Sequence, residues 1–268
     1  MIRTVIAALL ALLAGCASNP RRETSGAPDI KAVPDVNAVP DAVPRVEARS
    51  VRGNPAFYEV AGTRYVILSS AAGFVERGVA SWYGPDFHGK STSSGETYDM
   101  YAMTAAHKTL PIPCYARITN LANGRSVIVR INDRGPFVAN RIVDLSYTAA
   151  ARLDVIRNGT AFVELEVLTP GDSTGLPLTV QAAELPAPAS VTAVIYVQVG
   201  AFADADNAAR LAARLRAADI AGVAVIEPAS RSRLSRVRVG PLASVTDYDA
   251  LLVRLATLGI RDTVVSKD

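Results

Sequence analysis

Four side chains in the middle of the chain are of the types that move protons: Glu96, His107, Asp133 and Asp144. Asp133 ends an alternating run in which Val127, Val129 and Ile131 share one face, and strict alternation turns its carboxyl to that apolar side. A carboxyl there keeps its proton to a higher pH than one in water, as a general acid must. The plainer reading of Asp133 is a turn acid that bonds backbone amides ahead of Arg134-Gly135-Pro136. Asp144, in a second apolar stretch (142–145), is read as a groove or structural residue, with Arg134 a possible ion-pair partner. Glu96 follows Gly95 in a loop rich in Ser and Thr, so it either reaches a bound molecule or is a solvated loop charge. His107 either orients a carboxylate or is structural. A Glu/His/Asp set also suggests a metal site, but three ligands without supporting partners are a weak pattern, so no metal or other cofactor is expected.

Composition narrows the classes. With 268 residues, 50% hydrophobic and 20% charged, the chain supports one or two folded domains plus linkers and excludes wholesale disorder. A net charge of +3 is too small a surplus to signal a nucleic-acid protein. Two cysteines and two histidines exclude a disulfide scaffold, a Cys-rich zinc site and a multi-His metal centre. Cys114 is read as a small buried hydrophobe rather than a thiol nucleophile.

The elements that must position these side chains follow from the proline distribution and the periodicities. Residues 1–15 combine Arg3 with an apolar run too short to span a bilayer but long enough for a signal-peptide core. Leu13-Ala14-Gly15-Cys16 resembles a bacterial lipobox, which implies lipidation at Cys16 and membrane anchoring. Ten of the 16 prolines fall within 20–55 and 170–188. Residues 16–54 therefore read as an extended disordered tether and 169–192 as an inter-domain linker. Between them, 55–168 shows short strands broken by turns, with one helix near 147–153. Val163, Leu165 and Val167 alternate with Glu164 and Glu166, and the region reads as a small β-barrel. Residues 193–268 contain a near-repeat, Val-Gly at 199–200 and again at 239–240. Each copy precedes a helical stripe: Ala208, Leu211, Ala212 and Leu215, then Tyr248, Leu251, Leu252, Leu255 and Leu258. Asp204 and Ser244 are candidate N-caps and Gly259 a C-cap. The order is βαββαβ, one sheet with two helices on one face.

Three blocks in the barrel region are specific: GVASWYGPDFHGKSTSSGETYDM at 78–100, AMTAAHKTLP at 102–111, and VRINDRGPF at 129–137 followed by RIVDLS at 141–146. Over about 78–168 the chain resembles the RlpA family of septal-ring lipoproteins, whose fold is a double-psi β-barrel. The final region, through VQVGAF and RVRVGPL, resembles the SPOR domain. The resemblance implies a multi-domain protein: a mainly-β double-psi barrel followed by a small α+β SPOR-like domain.

It also implies a lytic transglycosylase. Such an enzyme cleaves the β-1,4 bond between N-acetylmuramic acid and N-acetylglucosamine of peptidoglycan. The muramic C6 hydroxyl closes onto C1 to leave a 1,6-anhydro end, with a preference for strands stripped of peptide. The family's functional positions match Glu96, His107 and Asp133. Cleavage needs an acid at the leaving oxygen and then a base for the C6 hydroxyl, and one carboxyl can serve both steps. Asp133 is the candidate. Trp82 and Tyr83 either stack on sugar rings or fill the barrel core, and Arg134 either binds the muramic carboxylate or pairs with Asp144. In the SPOR-like part, Gln198, Arg236 and Arg238 are candidates for binding glycan carboxylates.

The expected partners are peptide-free glycan strands, the outer membrane through a lipid anchor at Cys16, and amidases or other division proteins at the septum; nucleic acid is not expected. Two rival readings are a non-catalytic glycan-binding scaffold and a structural bridge between outer membrane and wall.

Overall fold

A computed structural model describes residues 34–170, 193–228 and 233–267. The signal peptide, Cys16, the start of the tether and most of the linker lie outside the described residues.

Residues 34–56 lead into a two-stranded antiparallel hairpin, β1 (Phe57–Val60) and β2 (Thr63–Val66). The barrel strands are β3 (Val75–Trp82), β4 (Thr104–His107), β5 (Cys114–Asn120), β6 (Ser126–Asp133), β7 (Arg141–Leu145) and, after helix α1 (Tyr147–Arg152), β8 (Ala161–Leu168). They close in the order β3-β7-β4-β6-β5-β8. Two pairs, β3 with β7 and β4 with β6, are parallel, and these interlocked pairs make the double-psi arrangement.

Period-two alternation fills the barrel as the sequence suggests. Val127, Val129, Ile131, Val163 and Leu165 are fully or almost fully buried, joined by Ile118, Val143 and Leu145. Each such side chain contributes about 1.5–3 kcal/mol on leaving water. Glu164 and Glu166 on the wet face pair with Arg77 and Arg117. Helix α1 starts at Ser146, whose hydroxyl accepts the Ala149 amide, and it covers the core with Ala149 and Ala150.

Residues 34–54 differ from the expected disordered tether. They lie as a strap along the barrel, with Ala42 N–H donating to Ile128 O and Ser50 N–H to Ile112 O, both at 3.0 Å. Arg152 donates to Val39 O at 2.9 Å and pairs with Asp41 at 2.7 Å. Asn54 bonds both the N–H and the C=O of Ile112. Gly53, at φ +76°, makes the approach possible: a Cβ there would meet Ile112 Cδ1 at 2.6 Å and Ser93 O at 2.8 Å. The strap is held by scattered polar anchors and by Val39 and Ala42 against the core, too few apolar contacts to leave a hydrophobic period in the sequence.

The second part contains β9 (Ile195–Phe202), α2 (Ala205–Ala217), β10 (Val223–Ile226), β11 (Ser235–Leu242), α3 (Val245–Thr257) and β12 (Val264–Lys267). Its sheet runs β10-β11-β9-β12, all antiparallel. Asp204 and Ser244 cap the helices as read from the sequence. Ala208, Ala212, Leu215, Tyr248, Leu251 and Leu255 pack on Val197, Val199, Val237 and Val239.

This α+β part docks on the barrel. Val79, Leu121 and Phe162 join its core, and the Tyr248 ring meets Phe162 edge-on at 5.5 Å. Arg141 binds Asp249 through two bonds, at 2.9 and 2.7 Å.

Candidate active site

A single row of residues crosses four barrel strands. Ser81 on β3 is in register with Asp144 on β7, Asp144 with Ala106 on β4, and Ala106 with Asp133 on β6. Paired residues in a sheet present their side chains to the same face. Val143 and Leu145, on either side of Asp144, are fully buried in the barrel, so Asp144 and its row lie on the outer face. Ala106 between the two acids is buried, and the Gly135 backbone lies over it, a Cβ there falling 3.8 Å from the Ala106 methyl.

Asp133 reaches this row through a β-bulge. The register of β4 on β6 passes from Ala105–Ile131 directly to Ala106–Asp133, so Asn132 is the extra residue. The bulge moves Asp133 off the Val127–Val129–Ile131 side, where strict alternation puts it, onto the outer face beside Asp144. The Asp133 carboxyl then braces a loop: Oδ1 accepts from the backbone N–H of Ser93 and of Arg134, both at 2.7 Å. This is the turn-acid geometry that was its plainer reading.

Asp144 is differently placed. Oδ1 accepts from the Ser81 hydroxyl at 2.5 Å. Oδ2 lies 3.6 Å from the point a Gly135 Cβ would occupy, an ordinary contact distance, and it is the φ of +139° at Gly135 that favours glycine there. Burial pushes its pKa up, outweighing the Ser81 bond and the charges of Lys108 and Arg141. Lys108 donates to Arg141 O at 2.6 Å, and burial lowers its own pKa. Burial thus lets Asp144 keep its proton to a higher pH than a carboxyl in water.

Two aromatic rings flank the acids. Tyr83 stacks on Tyr98 with centroids 4.1 Å apart, and the half-exposed Phe87 stands edge-on to Tyr83 at 6.1 Å. Burial raises the pKa of both phenols, and the charges of Asp133 and Asp144 add to the rise, which places the stack beside the row. Trp82 points elsewhere, against the barrel core and edge-on to Tyr147 at 5.9 Å.

Glu96 sits over the same strand edge. Its Oε2 accepts from Arg130 at 2.7 Å and from Asn132 Nδ2 at 2.8 Å. Burial opposes its ionisation, but the Arg130 and Asn132 bonds outweigh that and lower its pKa. Arg130 also grips both carboxylate oxygens of Glu47 from the strap, at 3.0 and 2.8 Å. Chiefly through that bond, Glu47 is held down to about 2.

His107 is not brought into this row. One step along β4 from Ala106, it turns to the strand's other face opposite Val143 and is 2% exposed. Nε2 lies 3.0 Å from Glu76 Oε2, while Nδ1 accepts from the amides of Thr109 and Leu110. The neutral ring with its proton on Nε2 satisfies all three partners. Arg134 does not pair with Asp144. Its guanidinium is shared among Gly53 O, His107 O, Leu110 O and Asn54 Oδ1, at 2.6–3.1 Å, which ties the strap to the bulge. Cys114 is a free thiol partly rather than fully buried against the barrel core, its pKa pushed up to about 12 by burial.

Ser81, Tyr98, Lys108, Arg130 and Glu47 were not singled out from the sequence. Ser81 had the only usable signal, a hydroxyl on the face of β3 opposite the buried Ala80.

In the α+β part, Gln198 is in register with Arg238, and Arg236 with Ala201, on the sheet face away from both helices. The Arg238 guanidinium lies 4.1 Å over the Tyr196 ring.

Comparison with known proteins agrees with this architecture. Residues 75–165 match the family model described as lytic transglycolase, and 192–266 match the SPOR domain. An endolytic peptidoglycan transglycosylase RlpA of Pseudomonas aeruginosa is 38% identical over 85% of this chain and 80% of its own. Proteins of the same name from Vibrio cholerae and Neisseria meningitidis are 50% and 59% identical, over 60% and 43% of this chain and 61% and 48% of theirs. With a double-psi barrel, a SPOR domain and that extent of identity, the chain belongs to the RlpA family, whose named members here are endolytic peptidoglycan transglycosylases.

Proposed function

We propose that this chain is a lytic transglycosylase that cuts the β-1,4 bond between N-acetylmuramic acid and N-acetylglucosamine, with Asp144 as its proton carrier. The observation that supports this most is the pair of unlike carboxyls in one row: a buried Asp144 with raised pKa, and an Asp133 fixed by two backbone amides. Environments that distinguish two acids in this way divide their roles.

Asp144 gives its proton to the glycosidic oxygen as the C1–O bond breaks. Positive charge develops at C1 and the ring oxygen, facing the acids of the row. The muramic C6 hydroxyl then attacks C1, and its proton passes to the carboxylate just formed on Asp144. Atoms balance without water, and the carboxyl is restored. Asp133 fixes the loop at Ser93 and Arg134 and supplies an acceptor edge for the sugar. Glu96, fixed by Arg130 and Asn132 on the same strand, stands beside it. The half-exposed Phe87, edge-on to Tyr83 and backed by the buried Tyr98, offers an aromatic face to a sugar ring. His107 acts as a positioning residue, tying β4 to Glu76 and to the 109–110 turn.

The preference for peptide-free strands, the septal site of action, the lipid anchor at Cys16 and the role of Gln198, Arg236 and Arg238 as glycan ligands belong to this proposal. The SPOR match and the peptidoglycan chemistry of the relatives support the glycan and septal readings, and the lipobox-like Leu13-Ala14-Gly15-Cys16 supports the anchor. The test is digestion of peptide-free and intact sacculi by the wild type and Asp144→Asn. The expected result is 1,6-anhydro products from the wild type alone, with more from peptide-free material. Binding without product would instead favour a glycan-binding scaffold.

A further inference from the structure

The hairpin β1–β2 lies outside both family matches, yet it sits against the loop that follows the bulge. Tyr58 and Tyr65 are cross-strand partners, stacked at 5.2 Å. Phe137 stands 6.1 and 5.9 Å from their rings and is 46% exposed. Neighbouring Val138 is 65% exposed. On the hairpin's reverse face, Phe57 is covered by the Arg64 guanidinium at 3.5 Å. The three-ring face is therefore the one turned toward Phe137.

Its position relative to Asp144 is fixed by β7. At the C-terminal end of that strand, Leu145 O accepts from Tyr83 N–H, which anchors the first aromatic stack. At the N-terminal end, Arg141 O accepts from Lys108, whose own carbonyl accepts from the Tyr58 hydroxyl at 2.8 Å. The Gly135 Cβ position 3.6 Å from Asp144 Oδ2 is also 4.0 Å from the Phe137 amide nitrogen. The carboxyl thus lies between two aromatic clusters, one at each end of β7.

We propose that Tyr58, Tyr65 and Phe137 form a second sugar-stacking shelf, which holds a pyranose ring of the glycan strand on the side of Asp144 opposite Tyr83 and Tyr98. The inference rests on the transglycosylase reading and deepens it. An enzyme that cuts inside a strand binds sugars on both sides of the broken bond, and remote binding energy of that kind orients the reacting ring. Aromatic rings offer a flat, rigid face to the C–H bonds of a β-linked pyranose at little entropic cost. A two-stranded hairpin is marginal alone, and here it is fixed to the barrel by Tyr58 OH to Lys108 O and Leu68 N–H to Thr109 O, and to the strap by Arg49 to Ser69 O. The shelf is therefore built onto the scaffold.

The experiment uses the full chain and soluble peptide-free glycan strands. Phe137→Leu keeps apolar volume and loses the aromatic face, Phe137→Tyr keeps the face, and Tyr65→Ala removes a second ring. Glycan binding is read in an Asp144→Asn background, where no turnover is needed, and KM and kcat are read in the active background. Phe137→Leu and Tyr65→Ala are expected to weaken binding and raise KM by about 3- to 10-fold, with Phe137→Tyr close to the parent. Circular dichroism and thermal unfolding establish that each variant is folded. Unchanged affinity and KM in folded Phe137→Leu and Tyr65→Ala would overturn the shelf while leaving the cleavage chemistry intact. Weakened glycan binding in a chain that releases no anhydro ends would keep the shelf and remove the transglycosylase reading.

Discussion

Asp133 and Asp144 lie in one row on the outer face of the barrel, two strands apart on either side of the buried Ala106. Neighbouring strands are about 4.8 Å apart, so the Cα atoms of the two acids are separated by roughly 10 Å. One acid is held by amides and the other is buried beside a serine hydroxyl. That asymmetry separates the two in the following experiments.

The pH–rate profile assigns the acid. Asp144 acts while protonated, so activity falls as pH rises through its raised pKa. Asp144→Asn is expected to lower turnover by about 10²–10⁴-fold and to abolish that limb. Asp133→Asn keeps an acceptor toward Ser93 and Arg134 and is expected to retain the limb at reduced rate. A profile in which Asp133→Asn, and not Asp144→Asn, abolishes the limb reassigns the proton to Asp133.

Stability and activity both fall as pH rises through the raised pKa of Asp144, but Asp144→Asn separates them. The folded-state pKa of Asp144 is raised, so between the unfolded and folded values the folded chain holds more protons, and stability falls as pH rises through that window. Asp144→Asn removes this loss. Its Tm is expected to exceed the wild-type Tm above the window and to approach it at acid pH, as thermal melts across pH will read.

How much of this was legible depends on what held each part. The alternation of Val127, Val129 and Ile131 and of Val163, Leu165 and Val167 gave the barrel strands, because apolar burial on a pleated strand leaves a period of two. Caps at Asp204 and Ser244 were readable because capping is a local interaction. The bulge at Asn132 was not, since it is defined only by the partner strand β4, and it reversed the face of Asp133. The strap was missed because Glu47, Asn54 and Gly53 act one at a time on distant residues. Docking of the α+β part was missed because Phe162 and Tyr248 look like ordinary core residues of their own domains.

The strap is expected to matter for both folding and the groove. Glu47→Gln weakens the grip on Arg130, which also holds Glu96, and is expected to cost about 1–3 kcal/mol at neutral pH. The Glu47 pKa is depressed from 4.5 to about 2, so its contribution is present above 4.5 and is lost as pH falls toward 2. The stability difference between wild type and variant should therefore close over that range. Denaturant melts at a series of pH values measure it, and a difference that persists unchanged at pH 2 argues against the Arg130 bond as its source.

Gly53→Ala is a sharper probe of the same contact. It combines a positive φ with a Cβ inside contact distance of Ile112 and Ser93. A loss of at least about 1–2 kcal/mol is expected. Increased proteolysis within residues 34–54 should accompany it.

Arg141 and Asp249 connect the two domains at the start of the strand that carries Asp144. A double-mutant cycle with Arg141→Ala and Asp249→Ala is expected to give a coupling of about 1–2 kcal/mol. Small-angle scattering should show an expanded particle for the double variant. Additive effects with unchanged dimensions would mean that the domains are not docked through this pair in solution.

The most direct measurement is mass spectrometry of the soluble products released from peptide-free sacculi by the purified chain and by folded Asp144→Asn. Fragments ending in 1,6-anhydro-N-acetylmuramic acid from the wild type, and none from the variant, are the predicted result. Equal release by both, or reducing ends formed by water addition, would contradict a buried Asp144 that shuttles one proton within the sugar chain.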